Sequence, residues 1–145
     1  MAESRDAWEE IMEGQALIER AKAFVSAVAA GKPREVIESF YTEDVTQEIN
    51  PSLIAPRGAV RDFIHMRAAY DRSRHVIRAQ TYDVINAFAS GNTVVIEVIW
   101  TATLETAMGR LKPGDSMRAR YAQFFEFRGD KICRIRNYDC FEPIE

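Results

Sequence analysis

Asn137 and Asp139 are the residues best suited to acid–base chemistry, because they lie two positions apart in the last predicted strand. Side chains alternate between the two faces of a strand, so this amide and this carboxyl group share a face. A carboxyl group shielded from water has a raised pKa and can move a proton at neutral pH. The alternative is an ordinary ion pair with Arg120 or Arg136, or exposure at the strand end.

Metal and nucleotide chemistry find no support in the sequence. The only histidines are His65 and His75, and the only cysteines are Cys133 and Cys140. They form no CxxC, HxH or HExxH spacing, and no glycine-rich phosphate loop is present. We therefore expect no metal and no cofactor. The two cysteines lie in one predicted strand, about 20 Å from each other, which is too far for a disulfide bond. We therefore expect reduced thiols and a cytoplasmic protein.

The composition predicts an ordinary folded domain. The chain has 145 residues, 47% hydrophobic and 28% charged, with a net charge of −3. This length suits a single domain over 1–145. A general nucleic-acid-binding protein is normally basic, and no stretch approaches the ~20 apolar residues of a membrane span. The acidic, polar N-terminus is not typical of a signal peptide. We expect neither nucleic-acid nor membrane partners.

Helical periodicity dominates the first half of the chain. Apolar residues recurring every three or four positions predict a helix from Asp6, a capping residue, to Gly31, with a break or bend at Gly14. The pattern then predicts a short helix at 33–41, a strand at 45–49 and a third helix at 58–70.

Long β-rich segments separated by turn signals dominate the second half. They predict strands at 75–88, 93–106, 117–127 and 132–141. Ser90-Gly91-Asn92 is a hairpin signal between the first two of these strands. Helices followed by long antiparallel strands indicate an α+β fold.

The order of elements and several short motifs resemble the nuclear transport factor 2-like superfamily, in particular its SnoaL-like branch. The resembling motifs are AGK at 30–32, FYTEDV at 40–45, RGAVRDF at 57–63, ASGNTV at 89–94 and FEFRGDKI at 125–132. The resemblance covers about residues 15–142. It implies a cone-shaped barrel in which three N-terminal helices pack on a curved, mainly antiparallel sheet around a cavity.

The resemblance also implies which residues face that cavity. It makes Asp139 the candidate catalytic residue in a mostly apolar chamber with a few polar groups, as small-molecule pockets are built. The implied ligand-binding residues are Phe24, Gln47, Ile49, Val98, Trp100, Tyr121, Gln123, Phe125 and Asn137.

The catalytic groups of better-known superfamily enzymes are missing. The positions that match the tyrosine, the base and the protonated aspartate of ketosteroid isomerases hold Phe24, Ile49 (or Asn50) and Gln123. The acid groups of limonene epoxide hydrolases and SnoaL-type cyclases are also replaced. Asp139 is left as the inward carboxyl group that could shuttle a proton.

Three functional classes remain open. The first is a cofactor-independent isomerase, lyase or cyclase acting on a small apolar carbonyl or hydroxyl compound by acid–base chemistry. The second is a non-catalytic ligand-binding or assembly module of the same fold. The third is a small subunit that supports a larger oxygenase.

Two surface features complete the sequence-based expectations. Val95, Ile99 and Thr101 alternate with the inward residues, so they predict an apolar outer stripe and a homodimer. Glu97 shares that outward parity, whereas the facing of Tyr82 and Asp83 stays open.

A basic stretch, which could attract an anionic ligand, is interpreted as a solvated helix face and loop. It comprises Arg61, Arg67, Arg72, Arg74 and Arg78.

Overall fold

The computed structural model describes residues 6–144, which form three helices and six strands. The helices are α1 (Ala7–Ala29), α2 (Arg34–Glu38) and α3 (Phe63–Val76). The strands are β1 (Tyr41–Ile49), β2 (Ala59–Arg61), β3 (Ile77–Ser90), β4 (Thr93–Leu104), β5 (Ser116–Arg128) and β6 (Lys131–Phe141). The predicted α+β class with three N-terminal helices is confirmed.

The six strands make one curved sheet in the order β2-β1-β6-β5-β4-β3. Every neighbouring pair is antiparallel except β1 and β6, which run parallel. The sheet is open, since β2 and β3 are its edges. A mainly antiparallel sheet is therefore confirmed, in the form of a curved open sheet.

The core lies between α1 and one face of the sheet, which we call the inner face. Strand β4 shows this face best, because alternate side chains along it are buried, as a half-buried antiparallel strand requires. They are Val94, Ile96, Val98, Trp100, Ala102 and Leu104. Helix α1 packs across β3 and β4 and contributes Ile18, Ala21, Phe24 and Val25 to the same core.

Helix α1 continues through Gly14, so the predicted break there is wrong. A Cβ atom at Gly14 would lie 3.3 Å from the Cβ of Ala89 in β3. The glycine thus permits a close approach of helix and sheet, and tertiary packing outweighs its low helix propensity. No helix in residues 6–144 combines the length and apolarity needed to cross a lipid bilayer.

The segment before α3 differs from the prediction of a helix starting at 58. Gly58 has a φ of +68°, a left-handed conformation that turns the chain. Ala59–Arg61 then pairs with β1 as β2. Asp62 caps the helix that follows, because its Oδ1 accepts a hydrogen bond of 2.9 Å from the backbone N–H of His65. The predicted helix therefore starts later and extends to Val76, and β3 shifts with it to 77–90.

The short helix and first strand also have different limits from those predicted. Helix α2 ends at Glu38, and β1 begins at Tyr41 rather than at Val45. The cause is pairing with the last strand, since Tyr41 already lies opposite Ile132. Pairing with the last strand therefore makes Tyr41 part of a strand, although the local sequence pattern favoured a helix there.

The outer face of the sheet carries an apolar stripe across four adjacent strands. Phe88 pairs with Val95, and Val95 pairs with Phe124, whose ring centroid lies 5.5 Å from that of Tyr138. We call Phe88, Val95, Phe124 and Tyr138 the outer stripe. Phe88 is 53% exposed and Tyr138 44% exposed. Glu97 is exposed on the same face, as its parity predicts.

Gly58 provides a test of the turn that precedes β2. A Cβ atom there would lie 2.5 Å from the carbonyl oxygen of Ile49, whereas Gly91 has a similar positive φ with no atom within 4 Å. We expect Gly91→Ala to cost about 1 kcal/mol, the conformational penalty alone. Gly58→Ala should cost at least about twice as much, because backbone must also move. Urea unfolding measures both, and equal losses would contradict this packing.

Candidate functional site

A cavity of about 450 Å³ lies between the inner face of the sheet and helices α1 and α3. Most of its wall is apolar, including Phe24, Ile49, Met66 and Trp100. Polar side chains gather at one part of the wall, which we call the polar corner. It consists of Gln47, Arg61, Gln123, Asn137 and Asp139. A mostly apolar cavity with a few convergent polar groups is the usual form of a small-molecule site.

Strand pairing brings the polar corner together from four strands. The antiparallel pair β1–β2 places Gln47 opposite Arg61, and the antiparallel pair β5–β6 places Gln123 opposite Asn137. Residues paired in this way have neighbouring side chains on one face. Because β1 pairs with β6 in parallel, the Gln47–Arg61 pair and the Gln123–Asn137 pair lie next to each other. Asp139 lies two positions beyond Asn137 and therefore points to the same side.

A hydrogen-bond chain runs through the polar corner. Arg61 Nη1 donates to Gln47 Oε1 at 3.5 Å, and Gln47 Nε2 donates to Asn137 Oδ1 at 3.0 Å. The Asn137 carbonyl oxygen is thereby occupied, which leaves its side-chain nitrogen as a donor. Asp139 Oδ1 and Gln123 Oε1 are buried and accept no hydrogen bond from any described residue. Buried acceptors of this kind are normally satisfied, so the corner suits a ligand that brings a donor.

Asp139 is the carboxyl group of the cavity wall, and burial raises its pKa to about 6. The Asn137 side chain and the charge of Arg61 oppose this rise without cancelling it. In the described part of the chain Asp139 forms no ion pair within 4.0 Å, so the alternative of an ordinary salt bridge with Arg120 or Arg136 is not realised; Arg136 pairs with Glu126 instead. A carboxyl group in this range can both accept and return a proton near neutral pH.

Aromatic side chains form the wall beside Asp139. The rings of Trp100 and Tyr121 stack with centroids 5.5 Å apart, and Tyr82 meets Tyr121 edge-on at 6.1 Å. Trp100 is fixed by its Nε1, which donates to Gln80 Oε1 at 2.9 Å. Burial raises the pKa of both Tyr82 and Tyr121, and the nearby Asp139 raises them further. Both phenols therefore stay protonated and can hydrogen-bond a ligand.

Eight of the ten sequence-predicted site residues line the cavity. They are Phe24, Gln47, Ile49, Trp100, Tyr121, Gln123, Asn137 and Asp139. That any of them contacts a ligand stays a prediction. Val98 and Phe125 also point to the inner face, but they are fully buried in the core and lie outside the cavity wall. The Phe24 ring meets Phe125 edge-on at 5.8 Å, so helix α1 helps to cover this position.

The sequence does not predict several polar residues of the wall, among them Arg61 and Arg72, and it leaves the facing of Tyr82 open. Arg61 belongs to the basic stretch that is interpreted as solvated, yet it is partly buried beside Gln47. The sequence signal is weak, because β2 has only three residues and its apolar Val60 is the exposed one. Tyr82 faces inward because a bulge between Val84 and Asn86 shifts the β3–β4 register.

The described residues offer no evident metal site. Among residues 6–144, no group of three or more histidine, cysteine, aspartate and glutamate side chains is arranged to hold a metal ion. Cys133 and Cys140 are free thiols in β6. A cofactor-free site and a cytoplasmic location both stay predictions.

Comparison with protein families identifies the class. Residues 21–135 match the sequence profile of the SnoaL-like domain, so the chain belongs to the SnoaL-like domain family. The resemblance derived from the sequence motifs is thereby confirmed. A comparison with curated proteins finds no match for this chain.

Solved structures share the fold at low sequence identity. AclR, a candidate hydroxylase from Streptomyces galilaeus, superposes with a TM-score of 0.73 at 12% identity, covering 88% of this chain and 81% of that one. A candidate polyketide cyclase from Xanthomonas campestris superposes with a TM-score of 0.72 at 21% identity, covering 86% of this chain and 90% of that one. A protein with a ketosteroid isomerase-like fold from Catenulispora acidiphila, in complex with trimethylamine, superposes with a TM-score of 0.67 at 18% identity, covering 83% of this chain and 84% of that one. These likenesses establish the fold.

The raised pKa of Asp139 predicts a characteristic pH dependence of stability. Because burial raises this pKa from 3.8 to about 6, folding favours the protonated carboxyl group. Its stabilising contribution is complete below about pH 4 and is lost as the pH rises through 6. Asp139→Asn, which stays neutral, should therefore gain stability relative to wild type between about pH 4 and 7. Urea unfolding across this range measures the difference, and a constant difference would contradict the burial of this charge.

Proposed function

We propose that this protein binds a small, mostly apolar carbonyl or hydroxyl compound in its cavity and that Asp139 transfers a proton to or from it. The reaction is a cofactor-independent isomerisation, elimination or cyclisation. The observation that carries the proposal is a single partly buried carboxyl group, with a pKa of about 6, in an otherwise mainly apolar cavity. The SnoaL-like family and its polyketide cyclase-like and ketosteroid isomerase-like neighbours support a small-molecule role.

The proton transfer follows from the groups around the cavity. Ionised Asp139 takes a proton from the carbon next to a ligand carbonyl, and the C–H electron pair moves towards the carbonyl oxygen. The side-chain nitrogen of Asn137 and the phenol of Tyr82 are donors that can stabilise that developing negative charge. Protonated Asp139 then returns the proton to a product carbon or to a leaving oxygen. This sequence needs no oxidant, reductant or metal ion.

Exchange of carbon-bound hydrogen tests the proton transfer without knowledge of the natural substrate. We expect the protein to accelerate deuterium incorporation next to the carbonyl of 2-tetralone, a small bicyclic ketone, as followed by proton NMR in D₂O. Asp139→Asn keeps the shape of the side chain and removes the base, so the catalysed rate should fall by about 10²–10⁴.

Asp83→Asn is the matched control, because Asp83 is exposed opposite Ile99 on the outer face. It should retain the wild-type exchange rate. If the ketone binds and wild type does not accelerate exchange, the alternative of a non-catalytic ligand-binding module replaces the enzyme proposal. Full activity of Asp139→Asn would remove Asp139 from the mechanism.

The outer stripe is the proposed interface of a homodimer. Phe88, Val95, Phe124 and Tyr138 leave apolar surface across four strands, and such a surface usually marks an interface. Charges of both signs flank the stripe, including exposed Glu97 and Arg120. A two-fold axis through the stripe can therefore bring opposite charges together, as a self-complementary interface requires.

Light scattering coupled to size exclusion tests the dimer. Wild type should have twice the mass of one chain, and Phe88→Lys should shift it towards the monomer, because an ammonium group would be buried in the contact. Val60→Lys is the matched control: Val60 is 79% exposed on β2, away from the stripe. A concentration-independent monomer in wild type would overturn the proposal.

A further inference from the structure

Two arginines in the cavity wall lack carboxylate partners, and we infer from them that the ligand carries a carboxylate group bound by Arg61 and Arg72. This inference rests on the proposed small-molecule function and specifies the class of ligand. The carboxylate would lie beside the two guanidinium groups, and the remaining apolar body of the ligand would fill the space towards Phe24 and Met66.

The first line of support is the environment of Arg61. Its guanidinium group is partly buried, and burial lowers its pKa, with the charge of Arg72 as the next contribution. Among the described residues it makes one long hydrogen bond, to Gln47 at 3.5 Å, and no ion pair. A partly desolvated guanidinium group normally faces a carboxylate or phosphate, whose geometry matches its planar fork.

Other arginines of the same chain show what such pairing looks like. Arg67 binds Glu38 through two hydrogen bonds of 2.7 and 2.8 Å, and Arg78 binds Glu105 at 2.8 Å. Arg134 reaches Glu48 at 2.8 Å. In the described part of the chain, Arg61 and Arg72 have no such partner, and they are the two arginines that line the cavity. Within the basic stretch, Arg67 and Arg78 thus have carboxylate partners and Arg74 lies over the ring of Tyr70, whereas Arg61 and Arg72 line the cavity.

The second line of support is the charge of the cavity wall. Arg61, Arg72 and Asp139 are its charged residues, so the wall carries one net positive charge when Asp139 is ionised. The chain as a whole carries −3. A positive cavity in an acidic protein attracts anions and focuses them on this site. One net charge in a largely apolar wall matches a monoanion such as a carboxylate.

A pair of isosteric probes tests the inference. Naphthalene-2-carboxylate and naphthalene-2-carboxamide have nearly the same shape and differ in charge. Isothermal titration calorimetry on the full chain should show the carboxylate binding at least about tenfold more tightly than the amide. Arg61→Gln should remove about that factor for the carboxylate and leave amide binding within about twofold. Arg72→Gln, on an exposed part of α3, should act in the same direction without disturbing the fold.

Arg57→Gln is the matched control, since it removes the same charge from an exposed position outside the cavity wall. It should leave both affinities unchanged. Equal affinities of wild type for the two probes, or equal losses of both probes in the Arg61 and Arg72 variants, would overturn the carboxylate inference and leave the small-molecule function standing. Binding of neither probe would contradict the small-molecule function itself.

Discussion

The parallel pairing of β1 with β6 is the constraint on which the site depends. It joins the helical first half of the chain to the last strand of the sheet. Asn50 fixes this join, because its backbone N–H and its side-chain Nδ2 both donate to the carbonyl oxygen of Asn137 at 3.0 Å. A slip of one residue would turn every side chain of β1 to the other face. Gln47 would then leave Asn137, and β2 would carry Arg61 away from Asp139.

The cavity combines two physical requirements that oppose each other. An apolar wall is needed to bind an apolar ligand, yet the same wall removes water from Asp139 and Arg61. A close ion pair between them would relieve that cost and hold the carboxylate ionised. The two groups instead remain beyond ion-pair distance, so Asp139 keeps a pKa near neutrality and Arg61 keeps its donors for a ligand. Structures commonly carry such unfavourable local arrangements at functional sites.

The sequence predicted much of the fold because its local signals agree with the tertiary structure. Turn residues such as Gly91 fix the hairpins, and strand alternation puts Gln123, Asn137 and Asp139 on the inner face once one phase is known. Bulges and short strands leave no comparable signal. Without the bulge after Val84, Tyr82 would pair with Thr101 and face outward. Residues that share the inner face also divide between core and cavity, and this depends on where α1 and α3 pack against the sheet.

The central claim is that the cavity wall holds one carboxyl group whose proton is exchangeable near neutral pH. Carbon-13 NMR of side-chain carboxyl groups measures this directly, with Asp139→Asn used to assign the resonance. We expect the Asp139 signal to titrate with a pKa of about 6 in the folded protein. A midpoint near 4, the ordinary range of an aspartate in water, would mean that the carboxyl group is solvated and would contradict this account.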